Sequence, residues 1–155
     1  MITEVLYTKP SFVKMTDDYW AIDDEFCADL KTDEDGGVFQ FTIKSGFMFN
    51  FRSGPGAIDS FVPKIDDGWL GYVIHDALYE DHCGLSRKTA DTIMYDIHRM
   101  CGLGWARSWI AYKAVRAFGQ SAWEEEDERQ KEKVAMNWAP GNRRLMWFGK
   151  EKTSP

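Results

Sequence analysis

Val38-Phe39-Gln40-Phe41-Thr42-Ile43-Lys44-Ser45-Gly46-Phe47-Met48-Phe49-Asn50-Phe51-Arg52 alternates between apolar and polar character for almost its whole length. Phe39, Phe41 and Ile43 alternate with Gln40, Thr42 and Lys44, and Phe47, Phe49 and Phe51 with Met48, Asn50 and Arg52. A strand points successive side chains to opposite faces, so this period of two reads as a half-buried antiparallel pair. Ser45-Gly46 sits between the halves as a two-residue turn. Tyr19-Trp20-Ala21-Ile22 and Phe26-Cys27-Ala28-Asp29-Leu30 read as earlier strands, and Asp33-Glu34-Asp35-Gly36-Gly37 is a turn signal before the pair. The expectation is an N-terminal antiparallel β meander of about four strands over residues 1–52. Ser53-Gly54-Pro55-Gly56 then opens a loop over 53–68, because glycine and proline break the ladder.

From Trp69 onward the period becomes helical. The spacing predicts helices over Leu70 to Glu80, Ser86 to Met100 and Trp105 to Phe118. Ser86 is a plausible N-cap, with Thr89 rather than Glu or Gln three residues on, and Cys101-Gly102-Leu103-Gly104 is the stop. On the second helix Ile93, Met94, Ile97, Met100 and Cys101 form an apolar stripe, with Asp91 and His98 near its edge. On the third, Ala106, Trp109, Ile110, Ala114, Ala117 and Phe118 recur at three and four. Glu124 to Lys133 is a charge run that reads as a solvated helix extension. The tail from Met136 carries Trp138, Met146, Trp147 and Phe148, and either packs back on the domain or inserts into a partner. The fold class is α+β in one domain over 1–155: a β meander at 1–52, a loop at 53–68, a three-helix core with a His-Asp hairpin at 69–123, and the charged extension and aromatic tail at 124–155.

Composition narrows the function classes. The 155 residues are 44% hydrophobic and 15% aromatic, enough to bury the core of one domain. A formal net charge of −6 provides no overall basic field for phosphate backbones, so nucleic acid is not an expected partner. Met1-Ile2-Thr3-Glu4-Val5 has neither a basic nor an apolar leader region, and no apolar run approaches the roughly 18 residues of a membrane span. No signal peptide, no transmembrane segment and a cytoplasmic location are therefore expected. Cys27, Cys83 and Cys101 are odd in number and widely spaced, which suits buried or free thiols better than disulfides or zinc.

The chemistry concentrates in Val73-Ile74-His75-Asp76-Ala77-Leu78-Tyr79 and Ser86-Arg87-Lys88-Thr89-Ala90-Asp91. On a helix His75 and Asp76 point about 100° apart, while Tyr79 shares a flank with both. If the second helix folds back antiparallel, Asp91 reaches His75, fixes its tautomer and stabilises its protonated form, the orienting half of a general base. The rival reading is a buried polar cluster of His75, Asp76, Arg87 and Asp91 that pins the hairpin to the sheet. Arg87 and Asp91, four apart, could equally form a surface ion pair worth little. His82 and His98 show no metal spacing and are expected at the surface or half-buried.

Four spaced motifs then carry a resemblance. Gly46-Phe47-x-x-Asn50-x-x-Ser53-x-Pro55, His75-Asp76-x-Leu78-Tyr79, Arg87-x-x-x-Asp91 and Tyr112-x-Ala114-Val115-Arg116-x-Phe118-Gly119 resemble, in order and spacing, the phage and prophage family known as domain of unknown function 1353. The resemblance covers about Gly46 to Trp123, and this chain has Asn50 where the family pattern has Asp. The helical hairpin is also similar, more distantly, to the core of bacterial and fungal phospholipase A₂, though the paired helix cysteines of the secreted enzymes are missing near Val73 and Leu78. That resemblance implies His75 as general base toward water, Asp91 as its orienting partner with Tyr79 beside them, and Asp76 as a ligand of Ca²⁺. Asn50, Asp59 and the backbone carbonyls of Arg52 to Gly56 would assist, with Asp66 and Asp67 in reserve. It implies a phage-encoded hydrolase of ester or acyl bonds acting on a lipid or ester substrate. The alternative is a non-enzymatic virion or tail-associated protein that meets phage structural proteins through its aromatic tail; either would reside in the host cytoplasm or the virion. What separates the two is whether the site opens on a cleft or lies sealed beneath Trp69 and Trp105.

Overall fold

A computed structural model describes residues 1–16, 19–33, 37–50, 68–130, 137–139 and 143–148, for 19, 50, 126–130 and the last two segments at the level of the backbone. The elements run β1 (Ile2–Tyr7), β2 (Phe12–Lys14), β3 (Tyr19–Ile22), β4 (Phe26–Thr32), β5 (Val38–Ile43), β6 (Met48–Asn50), α1 (Trp69–Glu80), α2 (Arg87–Met100), α3 (Trp105–Phe118), α4 (Gln120–Gln130), β7 (Asn137–Ala139) and β8 (Arg143–Phe148). The fold is α+β as expected, with antiparallel strands followed by helices.

The strands do not form one meander. They divide into a five-stranded sheet in the order β1-β4-β5-β8-β7 and a three-stranded sheet in the order β2-β3-β6. The alternating stretch from Val38 was expected to fold on itself as a hairpin, and it does not. β5 pairs antiparallel with β4, Phe41 opposite Ala28, whereas β6 pairs with β3, Phe49 opposite Trp20. The Ser45-Gly46 turn is present but hands the chain from one sheet to the other. Gly46, at φ +85°, donates its N–H to the carbonyl of Ile22, and Ile22 donates to the carbonyl of Phe47. A left-handed backbone is cheap only for glycine. Period two specifies which face is buried and is silent about the neighbouring strand. Phe41, Ile43, Phe47 and Phe49 all reach the same core from two sheets.

α1 is the central element. Trp69 to His75, Ala77 and Leu78 are all buried, as befits a helix covered on several sides. Trp69 meets Tyr7, Phe12 and Phe26 edge-on with centroids 5.4, 5.1 and 5.7 Å away, so one indole ties strands of both sheets to the helix. α2 begins at Ser86, whose hydroxyl oxygen accepts the Thr89 N–H at 3.2 Å, and it lies antiparallel to α1. The approach is close at Gly71, where a β-carbon would stand 2.3 Å from the His98 ring.

The buried face of α3 differs from the sequence expectation. Ser108, Ala111, Ala114 and Val115 face inward, while Ala106, Trp109, Ala117 and Phe118 are exposed. Small side chains let α3 seat against α2, where Ala111 and Val115 join Tyr72 and Met94 in a second small core. Met100, expected in the stripe of α2, is also exposed. The charge run, as far as Gln130, belongs to a separate helix, α4, which starts after Gly119 and returns Trp123 to the main core. The tail packs back on the domain: β8 adds in parallel to β5, Phe41 opposite Met146. No helix among the described residues is long and apolar enough to cross a membrane.

Candidate functional site

The antiparallel α1–α2 hairpin brings His75, Tyr79 and Asp91 together. His75 Nε2 lies 2.9 Å from Asp91 Oδ1, and the Tyr79 hydroxyl donates to the same oxygen at 2.8 Å. The other oxygen, Oδ2, accepts from Arg116 Nη1 at 2.8 Å, with Arg87 Nη1 at 3.6 Å. Arg87 also donates to the carbonyls of Val115 and Arg116, at 3.1 and 3.4 Å, so it fastens the end of α3 to the start of α2. Asp91 is fully buried and His75 is 4% exposed. Arg87 and Asp91 are thus part of a buried network and not a surface pair.

The charges are arranged to keep Asp91 ionised. Burial alone would raise its pKa, but hydrogen bonds from His75, Arg116 and Tyr79 hold it below the usual carboxylate range. For His75, burial works against the charge while Asp76 and Asp91 favour it, and the carboxylates win, placing its pKa above the ordinary 6.5. Burial and the neighbouring Asp91 charge push the Tyr79 phenol well above its usual value, so it remains a donor. An ionised carboxylate only accepts, which puts the proton of neutral His75 on Nε2 and leaves Nδ1 with a lone pair. Nδ1 is buried and has no hydrogen-bond partner among the described residues. Asp76 Oδ1 lies 3.8 Å from it, an ion-pair contact too long for a hydrogen bond, and the Asp76 side chain is 24% exposed.

Neighbouring rings and one glycine shape the surroundings. Tyr79 leans on His75 with centroids 4.2 Å apart, and Trp123 covers Tyr79 edge-on at 5.1 Å and stacks flat on His82 at 3.4 Å. A β-carbon at Gly119 would lie 2.5 Å from the Tyr79 hydroxyl, so only glycine there leaves that hydroxyl its place on Asp91. His82 and His98, expected at the surface or half-buried, are both buried. Burial and the nearby His75 charge push the His98 pKa down to about 3, which keeps it neutral beside the Tyr72 ring.

Asp76 borders the free imidazole nitrogen. The side chain of Asn50, together with Asp59, Asp66, Asp67 and the carbonyls of residues 52–56, lies outside what the structure describes. Among the described residues no group of three or more His, Cys, Asp or Glu side chains converges as for a metal. A cavity of about 360 Å³ lined by Ile2, Phe39, Lys88, Ile93 and Asp96 occupies a different face of α2, away from the imidazole. Trp69 lies over the core end of α1, but Trp105 is 62% exposed and seals nothing. Sequence reasoning assigned no role to Arg116 or Gly119. Both stood inside the fourth quoted motif, yet their purpose depends on α3 crossing α2, which no local spacing reveals. None of the three cysteines is in a disulfide.

A protein-family profile described as "Protein of unknown function (DUF1353)" matches residues 20–115. The match begins well upstream of the four motifs and spans the whole hairpin, ending one residue before Arg116. No curated protein and no solved structure matches the chain.

Proposed function

Since the chain belongs to the DUF1353 family and its match includes every residue from His75 to Asp91, we propose that it is a phage or prophage hydrolase of ester or related acyl bonds with His75 as general base. The observation that carries this reading is the asymmetry of the imidazole. Nε2 is spent on Asp91, and Nδ1, with no hydrogen bond among the described residues, lies in ion-pair contact with Asp76, a carboxylate that reaches the surface. In the proposed reaction Nδ1 takes a proton from water as the water oxygen adds to the acyl carbon. The carbon–oxygen bond to the leaving group then breaks, and the imidazolium returns the proton to the departing alkoxide. Asp91 holds the ring and stabilises its transient positive charge, while Tyr79 and Arg116 keep Asp91 in position. These are positioning residues, since none of them faces the free nitrogen.

Calcium, implied by the phospholipase resemblance, would be held by Asp76 with Asn50 and Asp59 and would polarise the acyl carbonyl. A calcium ion takes about six to eight oxygen ligands. Among the described residues Asp76 is the one expected ligand whose side chain is placed. A rise in melting temperature at millimolar calcium, abolished by Asp76→Asn, is the outcome expected if the site binds it.

The burial of Asp91 favours a second reading, in which the cluster is a structural pin within a non-enzymatic virion or tail protein. One pair of measurements decides between them: turnover on phospholipids and simple esters, and urea denaturation, for wild type and His75→Ala. The hydrolase loses its activity in the variant, and its kcat/KM rises with pH through a value above 6.5, because the base must be deprotonated. A wild type with no turnover on the whole panel, joined to a variant weakened by roughly 3–5 kcal/mol, would overturn the enzyme in favour of the pin.

A further inference from the structure

Helix α3 presents two unlike faces. Its inner face is small and buried, and Arg116, partly exposed at its edge, reaches to Asp91. On the outer face Trp105 and Trp109 are 62% and 40% exposed. They are four residues apart, hence neighbours on the helix surface, and Ala106, Lys113 and Ala117 are exposed beside them. Single exposed apolar side chains need no explanation, but two adjacent indoles on one stripe form a patch of the sort that marks an interaction surface.

The charge of the same helix says what kind of surface it fits. Besides Arg116, whose charge is matched by Asp91, residues 105–118 contain Arg107 and Lys113 and no acidic side chain, in a chain whose net charge is −6. The acids from Glu124 onward sit on α4, whose Trp123 packs at the far end of α1 against His82. The two tryptophans stand in the first turns of α3, whereas α4 follows its last turn, and a helix of this length spans about 20 Å. Among the described residues, the outer face of the helix itself is cationic and aromatic.

We propose that the outer face of α3, centred on Trp105, Trp109 and Lys113, docks the protein on an anionic phospholipid surface. Indoles settle at the boundary between headgroups and acyl chains, and lysine and arginine extend along them to the phosphates. Stacking of nucleic-acid bases suits the patch less well. The Trp109 ring is already met by Tyr112, stacked at 5.9 Å, and by the Lys113 ammonium 4.5 Å from its centre. This surface stands independently of any reaction at His75. It shares a helix with Arg116, so membrane contact would lie close to the Asp91 network.

The test is co-sedimentation of the full chain with vesicles of phosphatidylcholine alone or mixed with phosphatidylglycerol, at about 0.1 M salt. Binding is expected to the mixed vesicles, about tenfold or more above pure phosphatidylcholine, and weaker at high salt. Trp105→Ser with Trp109→Ser should abolish it, and Lys113→Gln should weaken it about fivefold. These side chains are exposed, so thermal melts should be little changed; should the double variant not fold, Lys113→Gln and the salt dependence still decide. No binding of wild type to anionic vesicles, or binding undiminished in these variants, overturns the proposal. So does preferential binding of a single-stranded oligonucleotide, or a solution dimer that the tryptophan variants dissolve.

Discussion

At Asp91 one buried carboxylate receives the His75 ring, the Tyr79 hydroxyl and two guanidinium groups, and the protonation of its neighbours follows from that concentration of partners. Two histidines on this hairpin consequently respond to pH with opposite signs. His75 has a raised pKa in the folded protein, so its contribution is fully present below its unfolded value near 6.5 and is lost as pH rises through the folded pKa. His98 is the reverse. Its folded pKa of about 3 means that the unfolded chain takes up a proton first, and stability falls as pH drops from 6.5 toward 3. The slope grows from about 0.7 kcal/mol per pH unit at pH 6.5 toward about 1.4 below it, hence roughly 1.6 kcal/mol between pH 6.5 and 5. Denaturation of His98→Gln at both pH values should show a loss on acidification smaller than that of wild type by this amount. Equal losses would mean that His98 titrates normally. Asp91, with its depressed pKa, adds stability above about pH 3.9 that disappears as pH falls through its folded value.

Helix contacts here depend on residues that are absent as much as on those present. Gly71 is poor in a helix interior by about 1 kcal/mol relative to alanine. It is nonetheless suited to its place, since a methyl there would enter the ring of a fully buried His98. Gly71→Ala should therefore destabilise by about 1–3 kcal/mol despite its better helix propensity. Chemical denaturation checks this, and a stabilised variant would mean that the helices can separate freely. Gly119 makes the same argument at the other end of the hairpin, with a readout in the site. Gly119→Ala should push the Tyr79 hydroxyl off Asp91, costing about 1 kcal/mol for the lost bond. In the hydrolase it should lower turnover as Tyr79→Phe does. A Gly119→Ala protein with full activity and stability would remove Tyr79 from its positioning role.

Across the whole molecule, α1 lies where two sheets and two helices meet, and the C-terminal strands complete the larger sheet. β5 is flanked by β4 on one side and β8 on the other. A chain ending at residue 130 would leave one edge of β5 without a strand partner, and its unpaired amides would meet water. Hydrogen exchange should then quicken over Val38–Ile43 while α1 and α2 stay protected. Unchanged protection in the truncated chain would show that β8 does not pair with β5 in solution.

The α+β class, the three central helices with their boundaries to within a residue, the Ser86 cap and the joining of His75 to Asp91 were all legible in the sequence. Each rests on local periodicity, or on one short hairpin between adjacent helices, where the chain has little freedom to do otherwise. The division into two sheets, the parallel return of the tail, the inward turn of Ser108 and Ala111 in place of Trp109, and the reach of Arg116 to Asp91 were decided only by the tertiary structure. Periodicity reports which side chains prefer to leave water but not what will cover them, so an alternating strand does not name its neighbour and an aromatic stripe does not guarantee its own burial. Arg116 stands twenty-five positions from Asp91. Only the packing of α3 against α2 brings a charge from that distance to a buried carboxylate, where with His75 and Tyr79 it offsets the cost of burial.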